Sequence, residues 1–142
     1  MHVVWGAVVA LLSLIAWGGQ TVSWLAPRRA HPLADTSIRS EPAYWIGIRG
    51  EAPLDAVTLW TMVVAGVLLT LGIGAWAYFG LVGGGMYVYF AGRGLLDHVV
   101  AERGGVPANQ RRNHTIGYLM LVAWAAMGLA MIVAAMVALS TT

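Results

Sequence analysis

His98 and Glu102 stand four residues apart, the spacing that brings two side chains onto one face of a helix. Two such groups can ligate one metal ion. His114 lies across a polar stretch from them and is positioned to approach His98 at a membrane surface. A solvated helix face carrying a polar pair is the commoner use of this spacing, so no metal is assigned. His2 and His31 complete the histidines, and none of the four is central to an apolar run. Paired imidazoles inside a helical bundle, the usual arrangement for haem, are therefore not expected.

The other chemical classes are thinner still. The chain has no cysteine, which removes disulfides, thiolate metal sites and thiol catalysis together. No serine sits in the G-x-S-x-G context of a hydrolase nucleophile. Gly83, Gly84 and Gly85 lack the following Lys and Ser/Thr of a phosphate-binding loop. No catalytic residue and no cofactor is assigned, and the expectation is a protein that is not an enzyme.

The elements that would position any site are unusual in composition. Apolar residues make up 59% of 142 and charged residues 10%. A soluble domain is about 45–50% apolar and about 25% charged. A mean hydropathy of +0.74 agrees with an integral membrane protein. All eight basic residues are Arg and the formal net charge is +2. The Arg flank apolar runs, so headgroup anchoring is a better reading than nucleic-acid binding.

Three stretches carry no Asp, Glu, Arg or Lys: 1–27, 56–92 and 113–142. About 20 apolar residues cross a hydrocarbon core of about 30 Å. The first and third runs each fit one span, about 3–25 and 116–139. The second is too long for one crossing. It predicts either one projecting helix or two short spans, about 57–71 and 76–92. The positive-inside rule separates these. Three spans divide the eight Arg equally between the two sides. Four spans put the loops 27–55 and 93–113, and all eight Arg, on the cytoplasmic side. The fold class expected is thus an all-α, multi-pass membrane domain of four transmembrane helices, with three as the alternative.

The turn of the short central hairpin is expected at Leu71-Gly72-Ile73-Gly74-Ala75, where two glycines loosen the helix. Both termini then face outside. The amino terminus has no positive region, while Arg28 and Arg29 follow the first run, the flank order of an N-out anchor rather than a cleaved signal peptide. Trp5 and Trp24 bracket the first span and Trp60 and Trp76 the second, as interface anchors do. Arg28, Arg29, Arg93, Arg111 and Arg112 are the expected headgroup anchors.

Pro27, Pro32, Pro42 and Pro53 are expected to break any long helix in the first loop, which also holds an apolar island of Tyr44, Trp45, Ile46 and Ile48. The second loop begins as a continued helix over about 94–103 that ends at Gly104-Gly105. Ser13, Gln20, Thr61 and Thr70 are the deepest polar groups, and no ionisable group falls in the middle of a predicted span.

Small residues let membrane helices approach closely. Ala126, Ala130, Ala134 and Ala138 recur every four residues on the last span, and Gly80 and Gly84 make one such step on the third. These two faces are expected to pack on each other. The partners expected are the lipid bilayer and a larger membrane complex or a homo-oligomer, in a prokaryotic plasma membrane. The function expected is a structural or accessory subunit. A small oligomeric transporter or channel, and a haem- or quinone-associated redox subunit, are the alternatives.

Overall fold

A computed structural model describes residues 2–30, 42–104 and 114–141. It is helical, with no strand among the described residues. Among the described residues six helices follow in chain order: α1 (His2–Leu25), α2 (Pro27–Ala30), α3 (Pro42–Thr58), α4 (Trp60–Thr70), α5 (Trp76–Arg103) and α6 (His114–Ser140). Among the described residues, three helical segments are long and apolar enough to cross a membrane: His2–Leu25, Arg49–Thr70 and Thr115–Ser140. These include the expected spans at 3–25 and 116–139. The second segment starts before the expected Val57 and takes in most of α3 and α4. The expected third span, 76–92, lies in α5, which has the length but is diluted by glycine and tyrosine.

Two proline expectations need correction. Pro27 does stop the long helix, since α1 ends at Leu25 and only the four-residue α2 follows, but Pro42 begins α3 instead of breaking it, because the first helical turn needs no donor from its nitrogen. Pro53 stands inside α3. The helix survives it because packing against α1 and α5 holds the segment. The polar loop 27–55 is therefore largely helical where described. The apolar island lies in α3, with Ile46 exposed.

The α3–α4 boundary has a local cause. The ladder breaks at Leu59, and the Ala56 carbonyl, which a continuous helix would give to Trp60, accepts the Trp17 indole Nε1–H at 2.8 Å. A side chain inserted into the ladder bends a helix.

Gly72 and Gly74 lie in the α4–α5 turn, where the spacing predicted it. Gly72 has φ +71°, a left-handed conformation suited to glycine. The arms of this hairpin are longer than expected. α5 runs on unbroken to Arg103, so the continued helix expected at 94–103 is its last three turns.

The four long segments run antiparallel in chain order. Gly6 meets Gly66 and Thr70, while Trp17 meets Ala56. Met62 meets Gly83, while Asp55 meets Arg93. Along α5 and α6, Gly80 meets Ala135, Gly84 meets Gly128, Phe90 meets Trp124, Gly94 meets Leu121 and His98 meets Tyr118. Each step along α5 is a step back along α6. From Gly80 to His98 this contact covers about 27 Å at 1.5 Å per residue.

Backbone proximity at the glycines holds these contacts. A Cβ on Gly66 would lie 2.5 Å from the Ala10 nitrogen, and one on Gly83 would lie 2.8 Å from the Met62 nitrogen. Val9, Ser13, Leu59, Met62, Tyr87 and Met131 fill the interior between them.

The glycine half of the expected small-residue contact is present, since both Gly80 and Gly84 face α6. The alanine half requires correction. α6 meets α5 through Gly128, Met131, Ile132 and Ala135. Ala126 and Ala130 are exposed, and Ala134 and Ala138 are half-buried. A strict four-residue repeat drifts about 40° per step on a 3.6-residue helix, so it winds off the contact line. The contacting set alternates steps of three and four and stays on it.

Candidate functional site

Asp55 was expected at the edge of a loop. It is 3% exposed, inside α3. Ala52, Ala56, Leu59 and Met62 share its buried stripe at helical spacing, so Asp55 points where those side chains point. A carboxylate buried there needs a partner. Arg93 supplies it: Nη2 donates to Asp55 Oδ2 at 2.8 Å and lies 3.4 Å from Glu51 Oε2. The Arg93 guanidinium carbon is also 5.8 Å from the centre of the Tyr89 ring.

The pair sits toward one end of the bundle. Every Arg, Asp and Glu among the described residues lies at the Arg93 level or farther from the α4–α5 turn. The opposite end, with that turn, His2 and Ser140, carries none among the described residues. An open cleft of about 390 Å³ adjoins Arg93. Among the described residues it is lined by Val88, Tyr89, Gly92, Arg93, Leu96 and Asp97.

No protein-family model, curated protein or solved structure matches this chain. The site must be read from its own chemistry.

A second polar centre lies at the middle of α1. Tyr87 Oη donates to the Ser13 carbonyl at 2.8 Å, and Trp124 Nε1 donates to the Leu12 carbonyl at 3.0 Å. Successive carbonyls of α1 thus receive α5 and α6. Ser13 Oγ is fully buried and has no hydrogen-bond partner among the described residues. Thr70 bonds to the preceding turn of α4 at the Gly66 carbonyl, and Thr61 bonds back across the α3–α4 boundary to the Thr58 carbonyl at the end of α3. Gln20 is half-buried.

The remaining expected site residues are scattered. His98 is half-buried with its ring 6.4 Å from that of Tyr118, and Glu102 is exposed on the same helix. The His114 side chain lies outside the described residues. No group of three metal-ligating side chains occurs among the described residues. Trp5 and Trp24 stand exposed near the two ends of α1, and Trp76 opens α5. Trp60 stands midway along Arg49–Thr70, in ring contact with Phe79 at 6.2 Å, not at an end. Arg29 is exposed in α2, the Arg28 side chain is not among those described, and Arg111 and Arg112 lie outside the described residues.

The Asp55–Arg93 pair was missed, although a signal for it exists. These two residues are the charges that bound the uncharged run 56–92, and they are opposite in sign. A hairpin folded at Gly74 brings them level.

Proposed function

We propose that this chain is a four-span, non-enzymatic subunit of a prokaryotic plasma membrane, serving as a structural or accessory element of a larger membrane assembly. Its charged end faces the cytoplasm, and the Leu71–Ala75 turn and both ends of the chain face outside. The four-span reading draws support from α5, which runs antiparallel between α4 and α6 over about the thickness of a hydrocarbon core. The cytoplasmic assignment draws support from the arginines, gathered at one end where described.

The observation that carries the accessory role is the filled interior. Glycine contacts bring backbones together at Gly6–Gly66, Gly83–Met62 and Gly84–Gly128, and fully buried side chains occupy the space between. A solute path through one copy has no room at these contacts. A chain of this kind acts through its outer faces.

Two measurements test the proposal. Single cysteines at Gly74, Ala108 and Thr141 are probed with a membrane-impermeant maleimide on intact cells. Labelling at Gly74 and Thr141 with protection at Ala108 is expected. Gentle-detergent purification is then followed by native mass spectrometry, where a larger partner is expected to accompany the chain. A self-assembled oligomer that carries ion flux across proteoliposomes would overturn the accessory role in favour of a channel.

A further inference from the structure

The cleft beside Arg93 has an ordered chemistry along α5. Val88 and Tyr89 come first on the side of the α4–α5 turn, then Gly92 and Arg93, then Leu96 and Asp97 toward the charged end. The order is apolar and aromatic, then cationic, then acidic. Gly92 forms the notch: a Cβ added there meets nothing within 4 Å.

The charge balance narrows what fits. Arg93 is opposed by Asp55 and Glu51, and Asp97 adds a third carboxylate to the neighbourhood. An anionic group alone is poorly matched to three carboxylates and one guanidinium. An isolated ammonium would be repelled by the guanidinium and would give the guanidinium's remaining N–H groups no acceptor. A group with both charges, the phosphate nearer the apolar end and the ammonium beyond it, fits the sequence of side chains.

We infer that this cleft holds the headgroup of an amine-bearing zwitterionic phospholipid, of the phosphoethanolamine type. The inference rests on the membrane reading above. Arg93 commits Nη2 to Asp55 and Glu51 and a further donor to Tyr89, and a guanidinium carries five N–H donors, so others remain for the phosphate. Asp97 is exposed and accepts from the primary ammonium. A quaternary ammonium has no N–H to give, which sets the preference for ethanolamine over choline. Tyr89, exposed on the membrane side of Arg93, takes the interfacial position that tyrosine favours, beside the glycerol region.

The test uses the full chain purified in detergent and mixed with equal amounts of dioleoyl phosphatidylethanolamine, phosphatidylcholine and phosphatidylglycerol, read by native mass spectrometry. Phosphatidylethanolamine is expected to be retained about fivefold over each of the others, the size of one exposed ion pair. Asp97→Asn is expected to abolish the preference over phosphatidylcholine. Gly92→Leu fills the notch without a backbone clash and is expected to lose the bound lipid while melting as the parent does. Equal retention, a preference for phosphatidylglycerol, or a preference that survives Asp97→Asn overturns the inference. Alkaline carbonate washing of cell membranes separates the two failures. Release of the chain into the wash sinks the membrane reading itself, whereas a chain that stays in the membrane and shows no preference sinks only the lipid site.

Discussion

Asp55 Oδ2 and Arg93 Nη2 lie 2.8 Å apart across the α3–α5 contact, joining residues 38 positions apart. The carboxylate is almost fully buried and the guanidinium partly so. Removing one partner of a buried pair leaves the other charge stranded, at about 3–5 kcal/mol. Because the carboxylate it strands is almost fully buried, Arg93→Leu is expected to cost about 3–5 kcal/mol. The double variant Asp55→Leu/Arg93→Leu is expected to recover most of the loss, since apolar replacement of the whole pair removes both desolvation penalties. Thermal unfolding in detergent of the two single variants and the double variant checks this. A double variant as unstable as the sum of the singles would show that the pair is not the relevant coupling.

Two adjacent glycines on α5 make an internal control for helix packing. A Cβ at Gly84 meets Ile132 Cγ1 at 2.6 Å and the Gly128 carbonyl oxygen at 2.8 Å, whereas at Gly85 it meets nothing within 4 Å. Gly84→Ala is expected to destabilise by about 1–3 kcal/mol through overpacking. Gly85→Ala is expected to be neutral or to stabilise by up to about 1 kcal/mol through helix propensity. Equal effects at the two positions would show that Gly84 is not a contact point.

How much of this was legible in the sequence follows the physics of each signal. The helix at 2–25, the last helix and the turn at 71–75 are written in apolar length and glycine spacing, which are local. The alanines at 126, 130, 134 and 138 misled because a periodic stripe shows that close approach is possible, not which azimuth the neighbour takes. That azimuth is set by Gly84 and Gly128 together, a relation between two helices. The burial of Asp55 was hidden for the same reason. A charge at the edge of an apolar run reads as the start of a loop, and only the fold of the hairpin brings Arg93 to it. The carbonyl bonds made by Trp17, Tyr87 and Trp124 left no sequence signal separable from aromatic belts.

The α4–α5 turn separates conformational need from mere glycine content. Gly72 adopts φ +71° and Gly74 does not adopt a positive φ. A side chain in the left-handed region costs about 1–2 kcal/mol. Gly72→Ala is expected to lower stability by about 1 kcal/mol, and Gly74→Ala to leave it unchanged, because the added Cβ meets nothing there. Unfolding curves of the two variants in the same detergent decide it. A loss at Gly74 comparable to that at Gly72 would mean that the turn depends on flexibility, not on one dihedral angle.

Ser13 poses the sharpest opposition between two neighbouring atoms. Its carbonyl oxygen accepts from Tyr87, while its own hydroxyl is fully buried without a partner among the described residues. A buried donor with no partner costs about 1–3 kcal/mol, and a made hydrogen bond contributes about 0.5–1.5 kcal/mol. Deleting the two hydroxyls should therefore act in opposite directions. Tyr87→Phe keeps the ring contact with Phe90 and is expected to destabilise by about 1 kcal/mol. Ser13→Ala leaves that carbonyl in place and is expected to stabilise by about 1 kcal/mol. If Ser13→Ala instead destabilises, its hydroxyl has found a partner, and a water held between α1 and α5 becomes the first group to look for, by hydrogen exchange at the Ser13 and Tyr87 amides. If both variants destabilise by more in combination than alone, the hydroxyls act as one network linking α1 to α5, and the centre of the bundle is held by polar coupling as well as by glycine contacts.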